Sequence, residues 1–95
     1  MDDVQIQKVV EEIRGEQHVS PFEKDTILIG YVKEAEFNIN NEVGVKINYF
    51  TDLDAKSLLK DYVMYARHAR LAEFKELYTG SYEKLRAYYY KHTNL

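Results

Sequence analysis

From Thr51 to Thr79 the chain reads "TDLDAKSLLKDYVMYARHARLAEFKELYT", a stretch without a single proline or glycine. Those two residues are the strongest local breakers of regular structure. Within the run, Ala55, Leu58, Leu59, Tyr62, Val63, Ala66 and Ala69 recur at the three-and-four spacing of one helix face. Thr51 and, three residues later, Asp54 form a cap signature at its start. The pattern predicts one helix on the order of 40 Å long. A domain of this size has an expected radius of gyration of about 12–13 Å. Part of so long a helix is expected to project, or to pack on a neighbouring subunit.

The rest of the chain is punctuated sparsely, by one Pro and four Gly in 95 residues. In "VQIQKVVEEIR" Ile6, Val9, Val10 and Ile13 share a helix face, Asp2 and Asp3 suit its N-terminus, and Gly15 can end it. In "SPFE" Ser20 can cap, Pro21 fits the first helical position, and Glu23 can complete a capping box. The stripe Leu28, Tyr31, Val32, Ala35 and Ile39 follows, fraying at "NINNEVG". Gly30 inside it costs about 1 kcal/mol relative to Ala unless a close neighbour needs the space. "VGVKINYF" is read as a connector with buried anchors. "TGSYEKLRAYYYKH" is expected to break at Gly80, recap at Ser81 and form a short last helix with Tyr82, Leu85 and Tyr88 or Tyr89 inward. The expected fold is all-α: a single domain over residues 1–95, a small bundle of about four helices with one long central helix.

Hydrophobic residues make up 45% of the chain and charged residues 31%, which excludes typical disorder. With no Cys there is no disulfide, no thiolate nucleophile and no cysteine zinc site. The three His are scattered without metal-ligand spacing. His68 lacks partners for general-base work, so no enzyme activity and no cofactor are expected. No apolar run is long enough for a membrane span, and "MDDVQIQ" lacks the features of a signal peptide. Residues 1 to 47 carry ten acids and five bases, residues 48 to 95 six acids and eight bases. Such polarity suits head-to-tail assembly, and the basic excess is too small for strong duplex DNA binding.

The opening run also contains "RHAR". Arg67 and Arg70 beside tyrosines would suit phosphate and base contacts, but Glu73 and Glu76 lie within reach to pair with them. Nine tyrosines point to interfaces, where a ring is buried and a hydroxyl finds a partner. On a helix Tyr88, Tyr89 and Tyr90 span about 200° and cannot all face one core.

Taken in order, the short acidic helix, "LIGYVKEAEFNINNEVG", the aromatic connector, "DLDAKSLLKDYVMYARHARLAEFKELY" and "YEKLRAYYY" resemble the small head-tail connector proteins of tailed bacteriophages and prophages, over about Phe22 to Tyr90. The resemblance implies a helical subunit of a ring, dodecameric on the virion, set between the portal protein and a downstream connector or tail protein. Packaged DNA would pass through its channel without sequence-specific binding. It implies assembly in the bacterial host cytoplasm, a place in the virion neck, and no membrane or catalytic role. By position, Leu59, Tyr62, Ala66 and Ala69 would be core, Arg67, Arg70, Glu73 and Phe74 a subunit contact, and Tyr88, Tyr90 and Leu95 anchors on the portal. The competing readings are a small helical nucleic-acid-binding or regulatory module and a helical partner-binding protein.

Overall fold

A computed structural model describes residues 1–93 as five helices without a strand: α1 (Asp3–Glu16), α2 (Asp25–Val43), α3 (Leu53–Arg67), α4 (Leu71–Leu77) and α5 (Thr79–Thr93). α2, the longest, lies at the centre and packs against α1, α3 and α5, while α4 bridges α3 to α5. The body measures 47 × 29 × 18 Å with a radius of gyration of 13.4 Å.

α1 forms where its pattern places it. The Asp2 carboxylate accepts from the Gln5 N–H at 2.8 Å, and the Gln5 side chain accepts from the Asp2 N–H at 3.1 Å. This capping box satisfies two N–H groups that the helix leaves orphaned. Ile6, Val9, Val10 and Ile13 are all buried. The helix passes through Gly15 and turns off at His18, whose φ is 51°, as the Val19 N–H bonds back to the Arg14 carbonyl at 3.2 Å.

The expected cap at "SPFE" does not start a helix. Ser20 Oγ accepts from the Phe22 N–H at 3.2 Å. Arg14 donates to the carbonyls of Ser20 and Glu23 and pairs with Asp25 at 2.7 Å. These bonds hold residues 20–24 as a turn, and α2 begins only at Asp25. Leu28, Val32, Ala35 and Ile39 are buried as expected, whereas Tyr31 is half-buried. α2 closes on Gly44 at φ 88°, a left-handed position suited to glycine, with its N–H on the Asn40 carbonyl at 2.8 Å. The connector then folds on Asn40, whose Oδ1 accepts from the Ile47 N–H and the Tyr49 hydroxyl at 3.3 and 2.8 Å. Ile47 and Tyr49 are the buried anchors of that segment.

The expected long central helix is broken. α3 starts one residue later than the Thr51 signature, on Asp52, whose carboxylate accepts from the Ala55 N–H at 3.0 Å. It ends at Arg67. There the Arg70 N–H bonds the Tyr65 carbonyl at 2.8 Å and the Ala69 N–H the Ala66 carbonyl at 3.1 Å. This pair of bonds is the Schellman pattern, with Ala69 in the left-handed position at φ 56° where glycine is usual. Ala69, expected in the core, is therefore exposed at the bend, while Ala55, Leu58, Leu59, Tyr62, Val63 and Ala66 are buried. Beyond it α4 and α5 abut at Tyr78, so Gly80 and Ser81 lie inside α5 and mark no break.

Candidate assembly surfaces

The four residues expected to make a subunit contact do not share a surface. Phe74 is fully buried, so that expectation is corrected: it belongs to the core of its own subunit. The bend at Ala69 turns α4 back, and the Phe74 ring then meets Tyr62 edge-on at 5.3 Å, stacks on Tyr78 at 4.5 Å and touches Tyr65 and Tyr82 at 5.7 and 6.1 Å. Edge and offset arrangements of this kind stabilise aromatic pairs beyond the area they bury. Two of the hydroxyls around it are bonded: Tyr62 donates to Glu34 at 3.2 Å and accepts from Asn38 at 2.6 Å, and Tyr78 donates to Asp61 at 3.1 Å. Desolvation raises the Tyr82 phenol to about 12, and with the Asp61 bond added raises Tyr78 to about 12.

Arg67 is likewise an internal tie. Its side chain is only 12% exposed; one Nη donates to Gln17 at 3.0 Å and the other lies 3.6 Å from Glu23. Its Nε is buried without a hydrogen-bond partner among the described residues. Arg70 and Glu73 are the members at the surface, paired with each other at 2.5 Å across one turn. Arg70 also lies 6.0 Å from the centre of the Tyr65 ring. The Arg67–Arg70 phosphate clamp that the sequence allows is thus already engaged by carboxylates of the same chain. His68 Nδ1 donates to the Met64 carbonyl at 2.7 Å, ending α3 rather than facing a pocket.

Half of the second-half bases are paired with first-half acids inside the subunit. Lys56 pairs with Glu12 at 2.8 Å, Lys60 with Glu16 at 3.0 Å, Arg67 with Glu23, and Arg86 with Glu42 at 2.8 Å. Each pair joins an acid of the first half to a base of the second. Burial pulls the Glu12 carboxyl up, but the Lys56 bond and the charges of Lys60 and Lys56 outweigh it and hold the group below its ordinary value.

Of the expected anchors, Tyr88 is 51% and Tyr90 73% exposed, while Leu95 lies outside the described residues. Two residues apart on α5, Tyr88 and Tyr90 point about 160° from each other. One flat partner surface therefore does not cover both. Tyr89, between them, turns inward and donates to Asp52 at 2.6 Å. The most exposed of the large apolar residues that sequence reasoning missed is Phe22, at 92% exposure. Its signal was phase: continued back from Leu28 at about 100° per residue, Phe22 falls some 120° off the α2 stripe.

Among the described residues no group of His, Asp and Glu is arranged to hold a metal ion, and no helix is long and apolar enough to cross a membrane. No family model matches the chain, and no curated protein or solved structure is significantly similar to it.

Proposed function

We propose that this chain is a structural head-tail connector subunit of a tailed phage or prophage, forming a ring between portal and tail that extends or closes the DNA channel. The observation that carries the reading is a division of labour among side chains. The arginines that could bind phosphate, Arg14, Arg67, Arg70 and Arg86, are each paired with a carboxylate of their own chain. Large apolar groups, Phe22, Leu53, Leu77 and Tyr90, are instead left at the surface. Apolar surface of this kind gains by being covered with protein, while the arginines are not free to neutralise phosphates. The order of sequence signals from Phe22 to Tyr90, which resembles that of head-tail connectors, supports the choice of family. Within it, Tyr90 is the anchor for the portal, and the Arg70–Glu73 pair flanks a contact between subunits.

The test mixes the protein with portal assemblies from its own genomic neighbourhood, images them by negative stain, and runs a short DNA duplex as control ligand. Rings capping the portal, with no duplex binding at moderate salt, are the expected result. Duplex binding without portal association overturns the reading in favour of a helical nucleic-acid-binding module.

A further inference from the structure

Two residues other than glycine stand at positive φ among the described residues, His18 at 51° and Ala69 at 56°. Histidine is among the side chains enriched in that region, whereas alanine is not. Ala69 holds its position inside "ARHARLA", residues 66–72, a stretch made largely of the best helix-forming residues. By its own propensity the backbone would run straight through as α-helix. The bonds at the bend do not oppose this. The N–H groups of His68, Ala69 and Arg70 bond there to the Tyr65 and Ala66 carbonyls, and in a continuous helix each finds an acceptor four residues back.

What keeps the chain bent is the segment beyond the bend. Leu71, Phe74, Tyr78, Tyr82, Leu85 and Tyr89 recur at three-and-four spacing across the junction of α4 and α5, and all six are buried or half-buried. α4 and α5 thus form one amphipathic arm with a single apolar face, seated on the body made by α1, α2 and α3. The Phe74 ring lies on Tyr62 and Tyr65, the Tyr78 hydroxyl donates to Asp61 and the Tyr89 hydroxyl to Asp52. Arg86 donates to the Glu42 carbonyl at 2.7 Å and to its carboxylate at 2.8 Å. In every one of these contacts one partner precedes Arg67 and the other follows Arg70. None of them requires the two sides to belong to one molecule.

We infer that Ala69 is the hinge of an arm exchange, in which α3 and α4 join as one helix and the arm of each copy takes the seat on α2 and α3 of another. The occupant is fixed by identity, because a second copy carries the side chains that already fill the seat, in the same order. Straightened, the arm reaches about 35 Å beyond the bend, away from its own body. Its apolar face then lies about 130° around the helix from the Ala55 to Ala66 stripe, which stays on its own body. One continuous helix thereby serves two molecules. Exchange of an identical element is a low-cost route to assembly; passed back it closes a dimer, and passed onward it closes a ring. The ring takes its biological setting from the connector reading, but the exchange is a property of the chain alone.

Its test therefore uses the protein without portal. The chain has no cysteine of its own, so Glu42→Cys is placed on a light chain and Arg86→Cys on an isotopically heavy one. The two are mixed at up to millimolar concentration, held near the unfolding midpoint, cooled, diluted and treated with a short bis-maleimide. A link from position 42 of a light chain to position 86 of a heavy one forms only where the arm of one lies on the body of the other. Such links are expected, with a yield that rises with the concentration of the incubation. The double variant Glu42→Cys/Arg86→Cys, linked within one chain in dilute solution, verifies that the reagent spans the pair. No light-to-heavy link at the highest concentration, or links between like positions only, overturns the inference. The hinge is tested separately. Ala69→Gly favours the left-handed position and weakens the helix, and should lower the exchanged fraction at least about tenfold. Ala69→Val, a β-branched residue out of place at positive φ, should raise it. Equal fractions in all three chains remove Ala69 as the hinge and the inference with it. Portal rings without the link count against the inference alone; exchanged chains that ignore the portal count against the connector reading alone.

Discussion

Ala69 stands at φ 56°, where an L-residue other than glycine is disfavoured by about 1–2 kcal/mol. Glycine there removes that strain but adds about 0.4–1 kcal/mol of unfolded-chain entropy. Ala69→Gly should therefore stabilise the subunit by roughly 0.5–1 kcal/mol, read as a higher denaturant midpoint. A lower midpoint would mean that the bend is not where the strain lies. Five residues on, Phe74 makes the contrary case. Its removal leaves a cavity among four tyrosines, and Phe74→Ala should cost about 3–5 kcal/mol. Arg70→Glu, at an exposed pair, should leave thermal unfolding unchanged and act only on assembly. If Arg70→Glu particles still retain DNA and join tails, Arg70 does not belong to a subunit contact.

At the scale of elements, the stripes of α1, α2 and the body of α3 were readable because each buries one face at a regular period, so spacing reports packing directly. The breaks were not readable for the same reason. Ala69 and His18 end their helices in left-handed positions without being glycine, and nothing in local composition announces that. Tertiary contacts decide them: Phe74 reaches its four tyrosine neighbours only if α4 turns back. The start of α2 was misread because Arg14, outside the "SPFE" signature and on the preceding helix, takes the Ser20 and Glu23 carbonyls and holds that stretch as a turn. Phe74 carried no sequence mark separating a core ring from an interface ring, whereas the exposure of Tyr88 and Tyr90 followed from their angular spread. Gly30 offers a test at this scale. A Cβ there meets nothing within 4 Å, so no neighbour in the subunit needs the space. Gly30→Ala should stabilise α2 by about 0.8–1 kcal/mol in chemical denaturation. A stabilised subunit that no longer assembles would show that a second molecule comes close to that face.

For the whole molecule, the acids of the first half and the bases of the second act as cross-links between helices. Glu12 is the best placed, against Lys56 and Lys60. Because its carboxyl is held below the ordinary value, its contribution is full above the unfolded value of about 4.3 and is lost as pH falls through the folded one. The denaturant midpoint should drop between about pH 5 and pH 3. In Lys56→Gln/Lys60→Gln the drop should be shallower, and an equal slope would show that other carboxylates govern acid unfolding.

The ring of tyrosines around Phe74 and the buried Tyr49 also give the protein an optical gauge of its own integrity. With nine tyrosines and no tryptophan, its near-ultraviolet absorbance is almost wholly phenolic. Burial holds Tyr49 and Tyr82 in the neutral form well above the free value near 10, and burial with a carboxylate bond does the same for Tyr78 and Tyr89. Folded-state values raised in this way favour the folded chain below about pH 10 and lose that contribution as pH climbs through them. In an alkaline titration the phenolate of these four tyrosines should thus arrive together with the collapse of helicity rather than near the free value.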